Sequence, residues 1–446
     1  DPVLQREGQL TVSALLGAIL GPRGGARPDA VTKPTGFAWL DCPIREEIAG
    51  GFTCAVDERA LLTTPARVLY VDQDHAAASD ANAGTDPNLP LKSIWAALNK
   101  WNVDQTIYVK QGWYPVARSW TGGVPFNGHV NVIGVRDFTT LAPGWFVSSA
   151  SEEVTALTWT DLGGGRWSAS VANAPYAVVD VSTSPPTWFT AAADAASADA
   201  AGEYFHGAGT LTVRTLTGAQ PGATLRVLRD AVHNAWCNTA LNVTVVRGIF
   251  EGGGNLRAFW FQHVARGTLI DCAFTLSEAA GFELNSSAAG VTHRVNLIRC
   301  RAYDNTADGF AYTATGAGSE IRALEVGCES YRNGRNLGAN QGSTMHLTAG
   351  NAAAAVVRVG GRYHGNEAQE LADVGGAVAW NLGVEMDGEG AGYGYEITGA
   401  TTVYLHGCVI HRTSTGLVVG AGGVINITNT FYSGASGAGT VQQYTP

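Results

Sequence analysis

Over residues 269–347 the chain alternates in short bursts, apolar residues flanking a single polar or small one, as in Phe282-Glu283-Leu284 and Phe310-Ala311-Tyr312. Such period-two alternation is that of a strand with one face buried. The bursts also repeat. "LIDCAFTLSEAAGFEL" (269–284), "LIRCRAYDNTADGFAY" (297–312) and "EVGCESYRNG" (325–334) superpose in steps of 28 residues, with Leu269 on Leu297, Cys272 on Cys300 and Cys328, Phe282 on Phe310, Tyr303 on Tyr331 and Asn305 on Asn333. A period in the 20s, with β-branched and aromatic runs broken by Asn, Asp and Gly, predicts a solenoid whose unit is one coil. Neither leucine-rich spacing nor the i, i+3, i+4 pattern of helical repeats is present. The expected fold is therefore a parallel β-helix, in which equivalent Cys, Ile and Val residues stack into core columns and Asn305 and Asn333 take the turns.

The apolar run, small residue and polar turn recur at 241–254, 356–366, 402–417 and 424–434. Four segments follow. Residues 1–66, rich in Gly, Pro and Ala, read as an attachment arm that forms little core. Residues 67–145 read as a cap and the first coils, with a strand, a polar loop and an amphipathic helix around Ile94, Ala97, Leu98 and Trp101 closing one end against edge pairing. The coil rhythm lapses over 146–234, where "WTDLGGGRWSASV" (159–171) predicts a hairpin on a Gly-rich turn and 202–227 predicts further antiparallel strands. The main β-helix occupies 235–446.

Charge narrows the partners. A net charge of −10 without a Lys/Arg run excludes a general nucleic-acid binder. Seven Cys is an odd count, and Cys272, Cys300 and Cys328 suit a reduced core ladder better than a disulfide framework. Residues 11–21 are apolar but too short to span a bilayer, so an amphipathic or docking helix is expected there, and no membrane partner.

The segment "YVDQDHAAASDANAGTDPNLPLKSIWAAL" (70–98), with Asp80, Asn82, Gly84, Thr85, Pro90, Ile94 and Ala97, resembles the N-terminal capping motif of the pectate-lyase-like superfamily of right-handed parallel β-helix proteins. "GEYFHGAGTLTVR" (202–214) is similar to an insertion in β-helix proteins of bacteria and phages. The resemblance implies an all-β, right-handed parallel β-helix solenoid with an N-terminal cap helix and a small antiparallel β insertion. It also implies a function among polysaccharide lyases, hydrolases, epimerases and phage tailspikes or head spikes. The expectation is a phage-type spike, extracellular or on the virion, that binds and in one version depolymerises a bacterial surface or extracellular polysaccharide. The arm would attach it to virion proteins, and assembly as a homotrimer is left open. A secreted polysaccharide lyase or glycosidase is one alternative, a non-catalytic adhesive spike the other.

Candidate chemistry must come from outward polar groups. Carrying the repeat forward places Glu283, Ala311, His346 and Asp373 in one outward column. Rungs ~4.8 Å apart then put Glu283 and His346 about 10 Å apart, with His346 and Asp373 adjacent. With Asp308 and Glu370 close by, this predicts a trough able to offer a proton donor and a base or nucleophile across a sugar; the same residues read equally as a solvated polar face. Arg332, Arg335 and Asn340, in the long polar stretch 330–346, and Trp380 are the expected substrate-binding groups. The Glu385, Asp387, Glu389 alternation suits Ca²⁺, or is a plain acidic loop; otherwise no cofactor is expected. Asp72, Asp74 and Asp80 read as turn chemistry with a cation as the alternative.

Overall fold

The computed structural model describes residues 30–47, 51–62, 64–100, 104–117, 119–120, 123–124, 128–230, 234–237, 242–254, 257–335, 341–347, 353–389 and 392–444. The helix expected at 11–21 lies outside them. Among the described residues, three parallel sheets of 12, 10 and 10 strands enclose one lumen. Each coil gives one strand to each sheet: Thr292–Ile298 to a long sheet, Arg301–Tyr303 to a short sheet and Phe310–Ala314 to a third. The next coil repeats the order with Glu320–Val326, Glu329–Tyr331 and Gln341–Leu347. The chain is a right-handed parallel β-helix, the hand that parallel crossover connections take. Like pairs with like across rungs, Leu269 beside Leu297 and Phe282 beside Phe310.

Two corners shape each coil. From long to short sheet the chain turns on a residue of positive φ, such as Asp271 (51°), Arg299 (51°) and Gly327 (59°). The Cys ladder follows immediately: Cys272, Cys300, Cys328 and Cys408 are buried and reduced. From short to third sheet the turn is held by an asparagine ladder. Asn305 Nδ2 donates to Asn333 Oδ1 (2.8 Å), and Asn333 Nδ2 donates to Asn366 Oδ1 (2.9 Å). Glycine follows the ladder because it must: a Cβ at Gly309 would lie 2.0 Å from Ser330 Oγ and 2.9 Å from Asn333 Nδ2.

The lumen is apolar at its N-terminal coils, where Phe250, Phe259, Phe274 and Phe282 interlock, with Phe250 and Phe274 parallel at 5.9 Å. Three rungs on, it turns polar. Arg358 carries a two-pronged pair to Asp373 (Nη1 to Oδ2 2.9 Å, Nη2 to Oδ1 3.1 Å), and its Nε lies 3.5 Å from Glu325. Tyr312 (2.9 Å), Ser343 (2.8 Å) and Tyr363 donate to Glu325, and Tyr395 donates to Asp373. Every one of these side chains is buried, and none is left without a hydrogen bond, as burying charge demands. Burial works against the Arg358 charge, but Asp373 and Glu325 outweigh it and hold the guanidinium protonated; burial and the same carboxylates keep the tyrosines as donors.

At the N-terminal end, helix Ile94–Asn99 starts on Ser93, whose Oγ accepts from Ala96 N (3.0 Å), and buries Ile94, Ala97 and Leu98 in the core that holds Leu69 and Val71 of the terminal long-sheet strand. Asp80 accepts from Lys92 N and Ser93 N, and Asp72 accepts from Asp74 N and Lys110 Nζ, so Asp72 and Asp80 serve the turns. Antiparallel strands between Thr160–Gly163 and Leu225–Arg229 pack on their own core of Val178, Leu211, Val213 and Val227. That unit stands against the solenoid through Tyr176, which donates to Leu276 O, and Arg226, which pairs with Glu251.

The described part of the arm corrects its reading as a segment that forms little core. Phe37, Leu40 and Ile44 are buried against Val357, Trp380 and Leu382 on the outer face of the long sheet. Its hairpin, Ile44–Glu46 with Phe52–Cys54, is closed by a Cys42–Cys54 disulfide that the odd Cys count concealed.

Candidate functional site

Outward-facing chemistry concentrates on the short sheet. From Ala273–Thr275 to Val409–His411 its strands are three residues long, so the outer residues of each, first and third, form two columns. One runs Arg301, Glu329, Arg362, Glu385 and the other Tyr303, Tyr331, His364, Asp387, His411. In the first column charge alternates rung by rung, with Arg301 Nε 3.4 Å from Glu329 and Arg362 Nε 3.4 Å from Glu385, the favourable cross-strand arrangement. In the second, the Tyr303, Tyr331 and His364 rings stack at 5.1 and 5.0 Å, nearly parallel, and the Arg332 guanidinium lies 4.9 Å from the Tyr331 ring centre. Stacked along the solenoid axis, these half-buried rings turn their edges outward.

Each imidazole has a carboxylate. His364 Nε2 is 3.2 Å from Glu329 and its Nδ1 3.3 Å from Glu389, while His411 Nε2 is 3.1 Å from Glu385. Burial opposes ionisation of Glu329, but the His364 hydrogen bond and the charges of Arg301 and Arg362 outweigh it and hold the carboxyl below its usual range. Asp387 is likewise buried yet pulled down, by Arg412, the Glu389 backbone N–H and Arg362. Ligand atoms of Glu385, Asp387 and His411 fall within 4.8 Å of one another. The set fits a cation poorly, since Arg362 Nη2 (3.0 Å) and Arg412 Nε (2.7 Å) already occupy both Asp387 oxygens. The expected Ca²⁺ alternation is corrected as well: Glu389 lies past the strand at φ 50° and turns to His364.

Most of the predicted residues lie apart. Glu283 does face outward, but it is buried, paired with Arg257 and bonded by Asn285 Nδ2 (3.2 Å), beside the parallel Trp236 and Trp260 rings. Its column continues through Ala311, Thr344, Ala372 and Glu396. The trough fails because the coil lengthens between Asn333 and Asn366, whose spacing is 33 rather than 28. His346 consequently pairs with Thr313 on the backbone, and its side chain lies outside the described residues. Asp373 pairs with Met345 and points into the lumen, where Arg358 consumes it. Glu370 is also inaccessible. It stands where Gly281, Gly309 and Gly342 stand on earlier rungs, and it accepts the last ladder proton from Asn366 Nδ2 (2.6 Å). Burial pushes its carboxyl up to about 8. Asp308 sits half-buried in the ladder turn, its carbonyl accepting from Gly281 N (2.9 Å).

Among the expected sugar contacts, Arg332 bonds Asp304 (2.7 Å), and Arg335 reaches across to Pro186 O (3.2 Å) on the antiparallel unit. Asn340 lies outside the described residues. Trp380 is buried under Phe37, ring centres 5.7 Å apart, which leaves no face for a sugar. The residues that sequence reasoning missed, His364, Arg362 and His411, carry a legible signal: "RAYDN", "ESYRN", "RYHGN" and "VIHRT" align with Tyr303, Tyr331, His364 and His411 at one position.

The architecture has solved counterparts. The chain is similar to a complex of XylC with xylose (12% identity, TM-score 0.46, 81% of this chain and 69% of that one). It is also similar to pectate lyase Pel9A (13%, 0.34, 82% and 80%) and to the A-module of mannuronan C-5 epimerase AlgE4 from Azotobacter vinelandii (12%, 0.33, 84% and 98%). At these identities and scores the likeness carries no argument about what this chain binds or does. No family model and no curated protein matches the sequence.

Proposed function

We propose that this protein binds a polysaccharide along the outer face of the short sheet and does so without cleaving it there. One observation carries the reading: outward polar and aromatic side chains fill the same two positions on successive rungs, Arg301, Glu329, Arg362 and Glu385 beside Tyr303, Tyr331, His364 and Asp387. A rigid row of donors and acceptors at ~4.8 Å intervals suits a linear polymer of repeating polar units, and the antiparallel unit walls one side through Arg335. Against cleavage stands the state of the carboxylates. Those on this face are held by guanidinium or imidazole, and Glu370, whose carboxyl is pushed up to about 8, is shut in behind the ladder, whereas acid catalysis needs a reachable proton donor. The Cys42–Cys54 bridge favours an oxidising, extracellular setting. A phage-type spike attached to virion proteins through the N-terminal arm, residues 1–66, belongs to the same reading, as does assembly as a homotrimer.

The test is retention of bacterial capsular and matrix polysaccharides by the whole chain, with chain length, reducing ends and unsaturated ends followed together. Retention without new ends is expected, weakened at least tenfold in an Arg301→Gln, Arg362→Gln variant. Release of ends by the wild type, or retention unchanged in the variant, overturns the proposal. Loss of incorporation into particles when residues 1–29 are removed is the outcome expected of a spike.

A further inference from the structure

A second surface, on another sheet, has the makings of a ligand site. Arg266, Arg294 and Arg322 occupy one outward column of the long sheet on three successive rungs. The arm passes over them, and the two enclose a cleft of about 340 Å³ lined also by Trp39, Asp41 and Cys42. The guanidiniums are unequally engaged. Arg322 is held by Glu320 at 2.7 Å, Arg294 is only 3.4 Å from an Asp41 whose side chain is 83% exposed, and Arg266 has no partner among the described residues. The Trp39 indole Nε1 is buried and has no hydrogen-bond partner. A cleft lined by underused guanidiniums is an unmet demand for an anionic acceptor. Two guanidiniums on neighbouring rungs, ~4.8 Å apart, match the two oxygens of a carboxylate, and an aromatic wall suits the body of a sugar ring.

We propose that this cleft binds a carboxylated sugar unit of an acidic polysaccharide. The carboxylate lies between Arg266 and Arg294, and the Trp39 side chain lies against the body of the sugar. Cys42–Cys54 fixes the arm hairpin that forms the outer wall. The cleft and the short-sheet face use different residues, so the two proposals stand or fall separately.

Calorimetric titration of the whole chain with a tetrahexuronate, its carboxyl-reduced neutral counterpart and sodium sulfate tests the proposal, with tryptophan fluorescence recorded alongside. Arg266 and Arg294 point outward, and melting curves check that their variants fold. Binding of the acidic oligosaccharide alone is expected, at least tenfold weaker in Arg266→Gln, Arg294→Gln and unchanged in Arg166→Gln on the antiparallel unit. Trp39→Phe should weaken it while removing part of the fluorescence change. Equal affinity for the neutral oligosaccharide, equal affinity for sulfate, or unchanged affinity in Arg266→Gln, Arg294→Gln each overturns it. An affinity lost only in Arg301→Gln, Arg362→Gln also overturns it and assigns the ligand to the short sheet.

Discussion

One inward column of the long sheet reads Leu269, Leu297, Glu325, Arg358, Asn381, Leu405 and Ile427. The same backbone thus encloses an apolar interior at both ends and an ionic one between, and neighbouring columns adjust to match. Where the third sheet offers Phe282 and Phe310 it next offers Ser343, small enough to admit the Arg358 side chain and able to bond it. Where the short sheet offers Phe274 it later offers Tyr363, adding a hydroxyl aimed at Glu325. The coil itself specifies only that a side chain points inward. The apolar stretch is held by area, which each residue contributes separately. The ionic stretch is held by mutual satisfaction, which no member supplies alone.

The largest expected effects separate these two modes. Arg358→Met strands two carboxylates and should destabilise by ~3–5 kcal/mol, read as a fall in the denaturation midpoint. Phe310→Ala should cause a similar loss, ~3–5 kcal/mol, through a cavity, and Ala311→Ser on the outward side almost none. The second substitution distinguishes them. Adding Asp373→Leu and Glu325→Leu to Arg358→Met, with Tyr312, Tyr363 and Tyr395 changed to Phe so that no hydroxyl loses its acceptor, should recover stability, because unpaired charge disappears with its partner, whereas any further truncation beside Phe310 should only deepen the loss. A combined variant weaker than Arg358→Met would mean that packing, not charge, holds this part of the lumen.

The comparison also explains what the sequence made legible. Coil length, the inward Phe282 and Phe310, the Cys ladder and the turn asparagines could be read because they repeat, and repetition marks a position that must satisfy the same contact each time. Asp373 was misread because alternation cannot tell a lumen carboxylate from a surface one once a 33-residue coil shifts the phase. Its charge is tolerated there because of Arg358, a residue of another sheet. Trp380 was misread for a related reason, since the arm that covers it comes from residues some 340 positions earlier, a contact no local pattern announces. Glu370 was noticed as an acid, but its role follows from the glycine it replaces.

Glu370 gives a smaller effect that depends on pH. Its folded-state pKa, about 8, lies above the unfolded value near 4.5. Its contribution is therefore whole below pH ~4.5 and disappears as pH rises through 8. Glu370→Gln keeps an acceptor for Asn366 and cannot ionise. Each pKa unit being worth ~1.4 kcal/mol, the wild type should lose a few kcal/mol relative to the variant between pH 5 and 9, seen in melting curves across that range. Parallel curves for the two proteins would place the Glu370 carboxyl in contact with water.

The smallest effect is expected on the short-sheet face, where ion pairs resemble those of the lumen on paper and differ in surroundings. The side chains of Arg301 and Glu329 are 48% and 32% exposed, against 0% for both Arg358 and Asp373. Water screens the outer pair, so a double-substitution cycle with Arg301→Gln and Glu329→Gln should give a coupling of ~0.5 kcal/mol or less. It should vanish at 1 M salt, where the screening length falls to ~3 Å. The Arg358 and Asp373 cycle should be several times larger and indifferent to salt. A salt-insensitive coupling above ~1 kcal/mol at Arg301 and Glu329 would mean that this face is covered in solution, and a covered row of guanidiniums would no longer be free to hold a polymer.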